Sequence, residues 1–338
     1  MRLSIRWTNQ QISGPASRRA KLGFVMCLLP AAVLAVAAAC GDDDNASGGS
    51  DKLNVVTTLP LFADFAREIG GDRVEVNSLL PIGSDPHTWE PAPSDVQRVA
   101  EADIVLANGL ELEPAAINVI EPNIGSSAPF VLLAEKAEEA GATVSRPPEG
   151  FEEEGEEGAP SGEDHGDDPH LWMDPTNAEL YAGTFRDAFV QADPDGKSSY
   201  DENYESYVAE IENVNSYVSH KVSEIPESNR KLVTTHDAFG YFARAYGLEV
   251  VAFVAPSPGQ EASPADIANL SKAMKDEGVP AVFVEPQIGS ESEILRQAGE
   301  DAGVEVCALY SDSLDDRVTS YIELMQYDAD ELARCLGG

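Results

Sequence analysis

Residues 57–70, TTLPLFADFAREIG, decide the fold, because residues 234–247, TTHDAFGYFARAYG, repeat them without a gap. Seven of the 14 positions are identical, among them Thr57 with Thr234, Phe62 with Phe239, Phe65 with Phe242 and Gly70 with Gly247. Two such copies in one chain predict two lobes of similar build. Outward from the repeat, runs rich in β-branched residues fall at 53–57, 74–80, 103–107 and 130–134, then at 231–235, 248–254, 281–285 and 305–309. Helical patterns lie between them, for instance 263–277 and 290–302, with Ser263 and Ser290 as candidate N-caps. Strand alternating with helix predicts α/β layers around parallel sheets. Ligands of such sheets bind beyond the carboxyl ends of the strands, so a cleft between the lobes is the expected site.

The segments between and around the lobes set the domain plan. Residues 52–197 form the N-terminal lobe and 228–338 the C-terminal lobe. Residues 198–224 are polar and studded with Tyr, and 198–223 hold neither Gly nor Pro, which predicts one long, stiff linking helix. Residues 147–168 hold ten acidic side chains and little that can pack, so they read as a solvated loop. That loop is either a tolerated insertion or a weak cation collector helped by His165.

The chain has 338 residues, 43% of them hydrophobic, which suggests two compact domains and excludes wholesale disorder. Its 22 basic against 60 acidic residues give a net charge of −38. Nucleic acid and anionic membrane surfaces would be repelled, whereas cations would be concentrated.

Residues 1–39 carry five basic residues, no acidic ones and an apolar run over 22–39, the pattern of a secretory signal peptide. A membrane-spanning anchor is the competing reading. Cys40 follows small residues and precedes a polar tether, 40–51, and this resembles a bacterial lipobox, with Ala37 where Leu is usual. The mature chain would then hold 17 basic and 60 acidic residues, a charge of −43, outside the cytoplasm. Cys307 and Cys335 remain as a pair, either a disulfide between the last helix and a strand or two buried thiols.

Two of the five His stand in one repeated pattern, Asp85-Pro86-His87-Thr88-Trp89 and Asp168-Pro169-His170-Leu171-Trp172. His236 stands directly after a predicted strand. Three imidazoles converging from separate loops suit Zn²⁺, which takes four tetrahedral ligands, and a carboxylate would complete the set. His220, on the linking helix beside Lys221, reads as a surface residue.

These motifs, with residues 235–247, Phe283-Val-Glu-Pro-Gln287 and Ser311-Asp-Ser313, resemble the ZnuA-like solute-binding lipoproteins of zinc and manganese ABC importers. The resemblance covers the chain from Leu53 onward. It implies two α/β lobes joined by a long helix, with the metal buried between them. It also implies His87, His170, His236 and Asp312 as ligands, with Glu285 orienting an imidazole or substituting for Asp312. The manganese branch usually has Glu where His236 stands, so the resemblance favours Zn²⁺ over Mn²⁺. It implies an ABC permease as partner, a lipid-anchored monomer as the working form, and no catalysis. A metal-containing surface adhesin is the alternative. No His-Glu-x-x-His helix or Gly-x-Ser-x-Gly elbow supports an enzyme.

Overall fold

The computed structural model describes residues 52–145 and 167–337, apart from 261 and 263. The leader, Cys40, the tether, His165 and Ser263 lie outside the described residues.

The N-terminal lobe is a four-stranded parallel sheet in the order β2-β1-β3-β4, built from β1 (Leu53–Thr57), β2 (Val74–Ser78), β3 (Ile104–Ala107) and β4 (Phe130–Leu132). The C-terminal lobe repeats it as β6-β5-β7-β8, from β5 (Lys231–Thr234), β6 (Glu249–Phe253), β7 (Ala281–Val284) and β8 (Glu305–Ala308). The inner strands β3, IVLA, and β7, AVFV, are buried throughout, as parallel strands covered on both faces must be.

The repeat occupies equivalent places in the two lobes. Residues 57–70 close β1 and form α1 (Pro60–Gly70), whereas 234–247 close β5 and form α7 (Gly240–Tyr246). The shared Thr acts alike in each. Thr57 Oγ1 donates to the Leu59 carbonyl at 3.2 Å, and Thr234 Oγ1 donates to the His236 carbonyl at 2.8 Å. The same turn therefore presents a core Leu in one lobe and an imidazole in the other.

The remaining helices are α2 (Pro93–Ala100), α3 (Pro114–Asn123), α4 (Leu133–Glu139), α5 (Pro175–Ala192), α6 (Lys197–Ser223), α8 (Pro264–Glu277), α9 (Ser290–Ala302) and α10 (Tyr321–Leu336). The linking helix α6 has 27 residues, about 40 Å at 1.5 Å per residue. It buries one stripe, Tyr200, Tyr207, Ile211, Val214, Val218 and Val222, against α1, α5 and α10. Helix α10 returns across the lobes. Its first backbone N–H, on Tyr321, donates to Asp64 of α1 at 2.9 Å, and the Phe65 and Tyr321 rings lie 5.1 Å apart. One apolar core therefore runs through side chains of both lobes, and a smaller one around Val282 and Leu295 lies on the other face of the second sheet.

Several expected strands are shorter in the structure. Leu133 and Ala134, expected in a strand, open α4, and Leu79 and Leu80 lie beyond β2. Ser290 is not the cap of α9. Gly289 holds that place, and the Ser290 hydroxyl bonds to Glu291 instead.

Candidate metal centre

Four loops at the carboxyl ends of the strands bring the site together. His87 follows β2, His170 precedes α5, His236 follows β5 and Asp312 follows β8. The Asp of the repeated pentapeptide plays the same part in both copies. Asp85 Oδ1 accepts the His87 backbone N–H at 3.0 Å, and Asp168 Oδ1 accepts that of His170 at the same distance. Each Asp thus closes a side-chain turn that aims the imidazole two residues on. Asp168, expected at the end of the acidic loop, is a fixed part of the site; its backbone N–H donates to the Ser145 carbonyl at 2.9 Å.

The three Nε2 atoms converge on Asp312. His236 Nε2 lies 3.3 Å, His170 Nε2 3.4 Å and His87 Nε2 3.8 Å from its carboxylate oxygens, and the His170 and His236 Nε2 atoms are 3.4 Å apart. One donor atom from each of the four residues falls within 4.8 Å of all the others. Each imidazole is held from behind. His170 Nδ1 meets Asp168 Oδ1 at 2.9 Å, His236 Nδ1 meets Glu285 Oε1 at 2.9 Å and His87 Nδ1 meets the Ser257 hydroxyl at 3.2 Å. An acceptor at Nδ1 fixes the proton there and leaves the Nε2 lone pair for a ligand.

Burial makes the cluster costly without a cation. Asp312 is fully buried, and neither of its oxygens has a hydrogen-bond partner; His87 Nε2 has none either. An unpaired buried polar atom costs about 1–3 kcal/mol, and more when charged. A divalent cation among the four donors would satisfy all of them at once. Burial, helped by the neighbouring imidazoles, drives the His87 pKa down to about 3, against the pull of Asp312. Burial also works against protonated His236, but Glu285 and Asp312 outweigh it and hold that imidazole well above its usual value. Burial would raise Asp312, yet the three imidazoles hold it below the usual carboxylate range.

Glu285 stands behind His236 and outside the converging set, its second oxygen accepting from Ser311. His220 is exposed on α6, 3.8 Å from Glu224 and apart from the cluster. Cys307 and Cys335 are joined by a disulfide with S–S of 2.02 Å, tying the end of α10 to β8. Two further contacts lock the loops across the cleft. Trp172 Nε1 donates to the Ser311 carbonyl at 3.1 Å, and the Gly83 N–H donates to the Leu314 carbonyl at 3.0 Å. Sequence reasoning did not single out Ser257 or the orienting role of Asp168. The repeated Asp-Pro-His spacing carried a signal for Asp168, whereas nothing local marks Ser257, which acts from the opposite lobe.

Two parallel α/β lobes that meet around three imidazoles and one carboxylate define a metal-binding receptor. The zinc-uptake complex component A family, ZnuA, described as periplasmic, matches residues 55–335. The metal ABC transporter substrate-binding lipoprotein SsaB of Streptococcus sanguinis is 30% identical over 94% of this chain and 99% of its own. The manganese ABC transporter substrate-binding lipoprotein PsaA of Streptococcus pneumoniae is likewise 30% identical, over the same shares. The periplasmic zinc binding protein TroA of Treponema pallidum superposes with a TM-score of 0.72 at 29% identity, covering 85% of this chain and all of that one. The chain belongs to the ZnuA family of metal-binding substrate-binding proteins.

Proposed function

We propose that this chain is the extracytoplasmic receptor of an ABC importer, capturing Zn²⁺ and handing it to a membrane permease. The observation that carries the reading is the buried convergence of His87, His170 and His236 Nε2 on an otherwise unpartnered Asp312 carboxylate. Three nitrogen donors and one oxygen suit tetrahedral Zn²⁺, whereas Mn²⁺ favours sites richer in oxygen. Four protein donors leave no open position for a metal-bound water, so the arrangement suits a carrier and not a hydrolase. The lipoprotein names of the relatives support lipidation at Cys40, and no helix among the described residues is long and apolar enough to cross a membrane.

The manganese reading has its own support, since PsaA and the MntA lipoprotein of Halalkalibacterium halodurans, 30% identical over 87% of this chain, are both named for manganese. Separate titrations of the metal-stripped protein decide between the two. Trp172 packs edge-on against the His170 ring with centroids 5.5 Å apart, so its fluorescence should report loading. The zinc reading expects one-to-one saturation by Zn²⁺ and a far weaker response to Mn²⁺. Mn²⁺ binding at least as tight as Zn²⁺ would establish the manganese reading, and no response to either would remove the receptor assignment.

A further inference from the structure

The strands β3 and β7 occupy the same place in their two sheets, and the residue directly after each faces the site. After β7 it is Glu285, which orients His236. After β3 it is Asn108, buried and not a member of the converging set.

Every polar group of Asn108 is engaged. Its backbone N–H donates to Glu113 Oε1 at 2.6 Å, and its carbonyl accepts the Ala134 N–H at 3.0 Å. Its side-chain oxygen accepts the buried Tyr181 hydroxyl at 2.7 Å. Its amide nitrogen donates to the Gly109 carbonyl at 3.1 Å and to the Pro169 carbonyl at 2.9 Å. The Pro169 carbonyl and the His170 N–H belong to one peptide unit, and Asp168 already holds the N–H end. With Asn108 on the carbonyl, that plane is fixed at both ends, and with it the direction in which His170 leaves the backbone.

The turn that builds this grip is unusual. Gly109, Leu110 and Glu111 run in succession at φ 86°, 50° and 60°, a region that residues with a Cβ rarely adopt. The reversal lets Glu113, fully buried at the head of α3, reach back to Asn108 and also accept the Thr58 hydroxyl at 2.8 Å. Backbone held in such conformations concentrates where function demands a fixed geometry.

We propose that Asn108, locked by Glu113 and Tyr181, is a positioning residue that sets metal affinity through His170, as Glu285 does through His236. The proposal rests on the receptor reading. Its test is a double-mutant cycle read as Zn²⁺ affinity in competition with a chromophoric chelator. Asn108→Asp keeps the shape but replaces the donor facing Pro169 with an acceptor. It is expected to weaken binding by roughly 10–100-fold, the range for partners behind a metal ligand. Because the effect passes through His170, the loss should vanish in a His170→Ala background and persist in a His87→Ala background. Unchanged affinity, or equal losses in both backgrounds, would overturn the positioning role. Should Asn108→Asp not fold, Asn108→Ala is judged by the same criteria. Wild-type protein that binds neither Zn²⁺ nor Mn²⁺ would refute the receptor reading and the positioning role together, whereas equal losses refute the positioning role alone.

Discussion

His236 is fully buried between Glu285 and Asp312, and these two carboxylates favour its protonated form over the neutral one when no metal is bound. Its folded-state pKa lies above the unfolded value of about 6.5. The protonated form therefore stabilises the metal-free protein fully below that value, and the contribution is lost as pH rises through the folded pKa. A metal ion must displace this proton, so Zn²⁺ affinity should rise with pH across that interval. Calorimetry at pH 7 in buffers of different ionisation enthalpy should show net proton release on Zn²⁺ binding; binding with no proton release would contradict this. His87, held down to about 3 by burial, should contribute none of it. Much of this site was legible beforehand. The repeated Asp-Pro-His-x-Trp marks His87 and His170, and a strand end marks His236. Ser257 and Asn108 were not legible, because each touches a part of the cluster distant from it in sequence and is one of many Ser and Asn without local distinction.

At the scale of elements, the linking helix and the last helix carry the load between the lobes. Ile211 sits in the middle of the buried stripe of α6 with no exposure. Ile211→Ala should destabilise the metal-free protein by about 2–5 kcal/mol in denaturant titration, the usual range for such a truncation in a packed core. An effect under about 1 kcal/mol would mean that α6 is not packed as described. The helix itself could be read from its length without Gly or Pro. Its apolar stripe was harder to see, because Tyr and Val at mixed spacing only line up once α1, α5 and α10 are in place. Element ends leave little trace in the sequence. Apolar runs such as 130–134 do not show where strand gives way to helix, since Leu and Ala suit the first turn of α4 as well. Ser290 and Gly289 are both acceptable caps, and only the backbone chooses between them.

The described residues form two sheets but one main core, to which both lobes contribute. Thermal unfolding of the metal-free protein should therefore be a single transition with matching calorimetric and van't Hoff enthalpies. Two resolved transitions would mean that the lobes fold independently. The duplicated stretch at 57–70 and 234–247 made the two-lobe plan visible, whereas the return of α10 onto α1 depends on a contact between Asp64 and Tyr321 that no local pattern encodes. The measurement that bears most directly on the central claim is X-ray absorption at the zinc edge of the loaded protein. Four light-atom neighbours are expected at about 2.0–2.2 Å, three of them with the outer-shell scattering of imidazole rings. His236→Ala should lose one ring. Two or fewer imidazoles in the wild type, or a spectrum unchanged by that substitution, would contradict it.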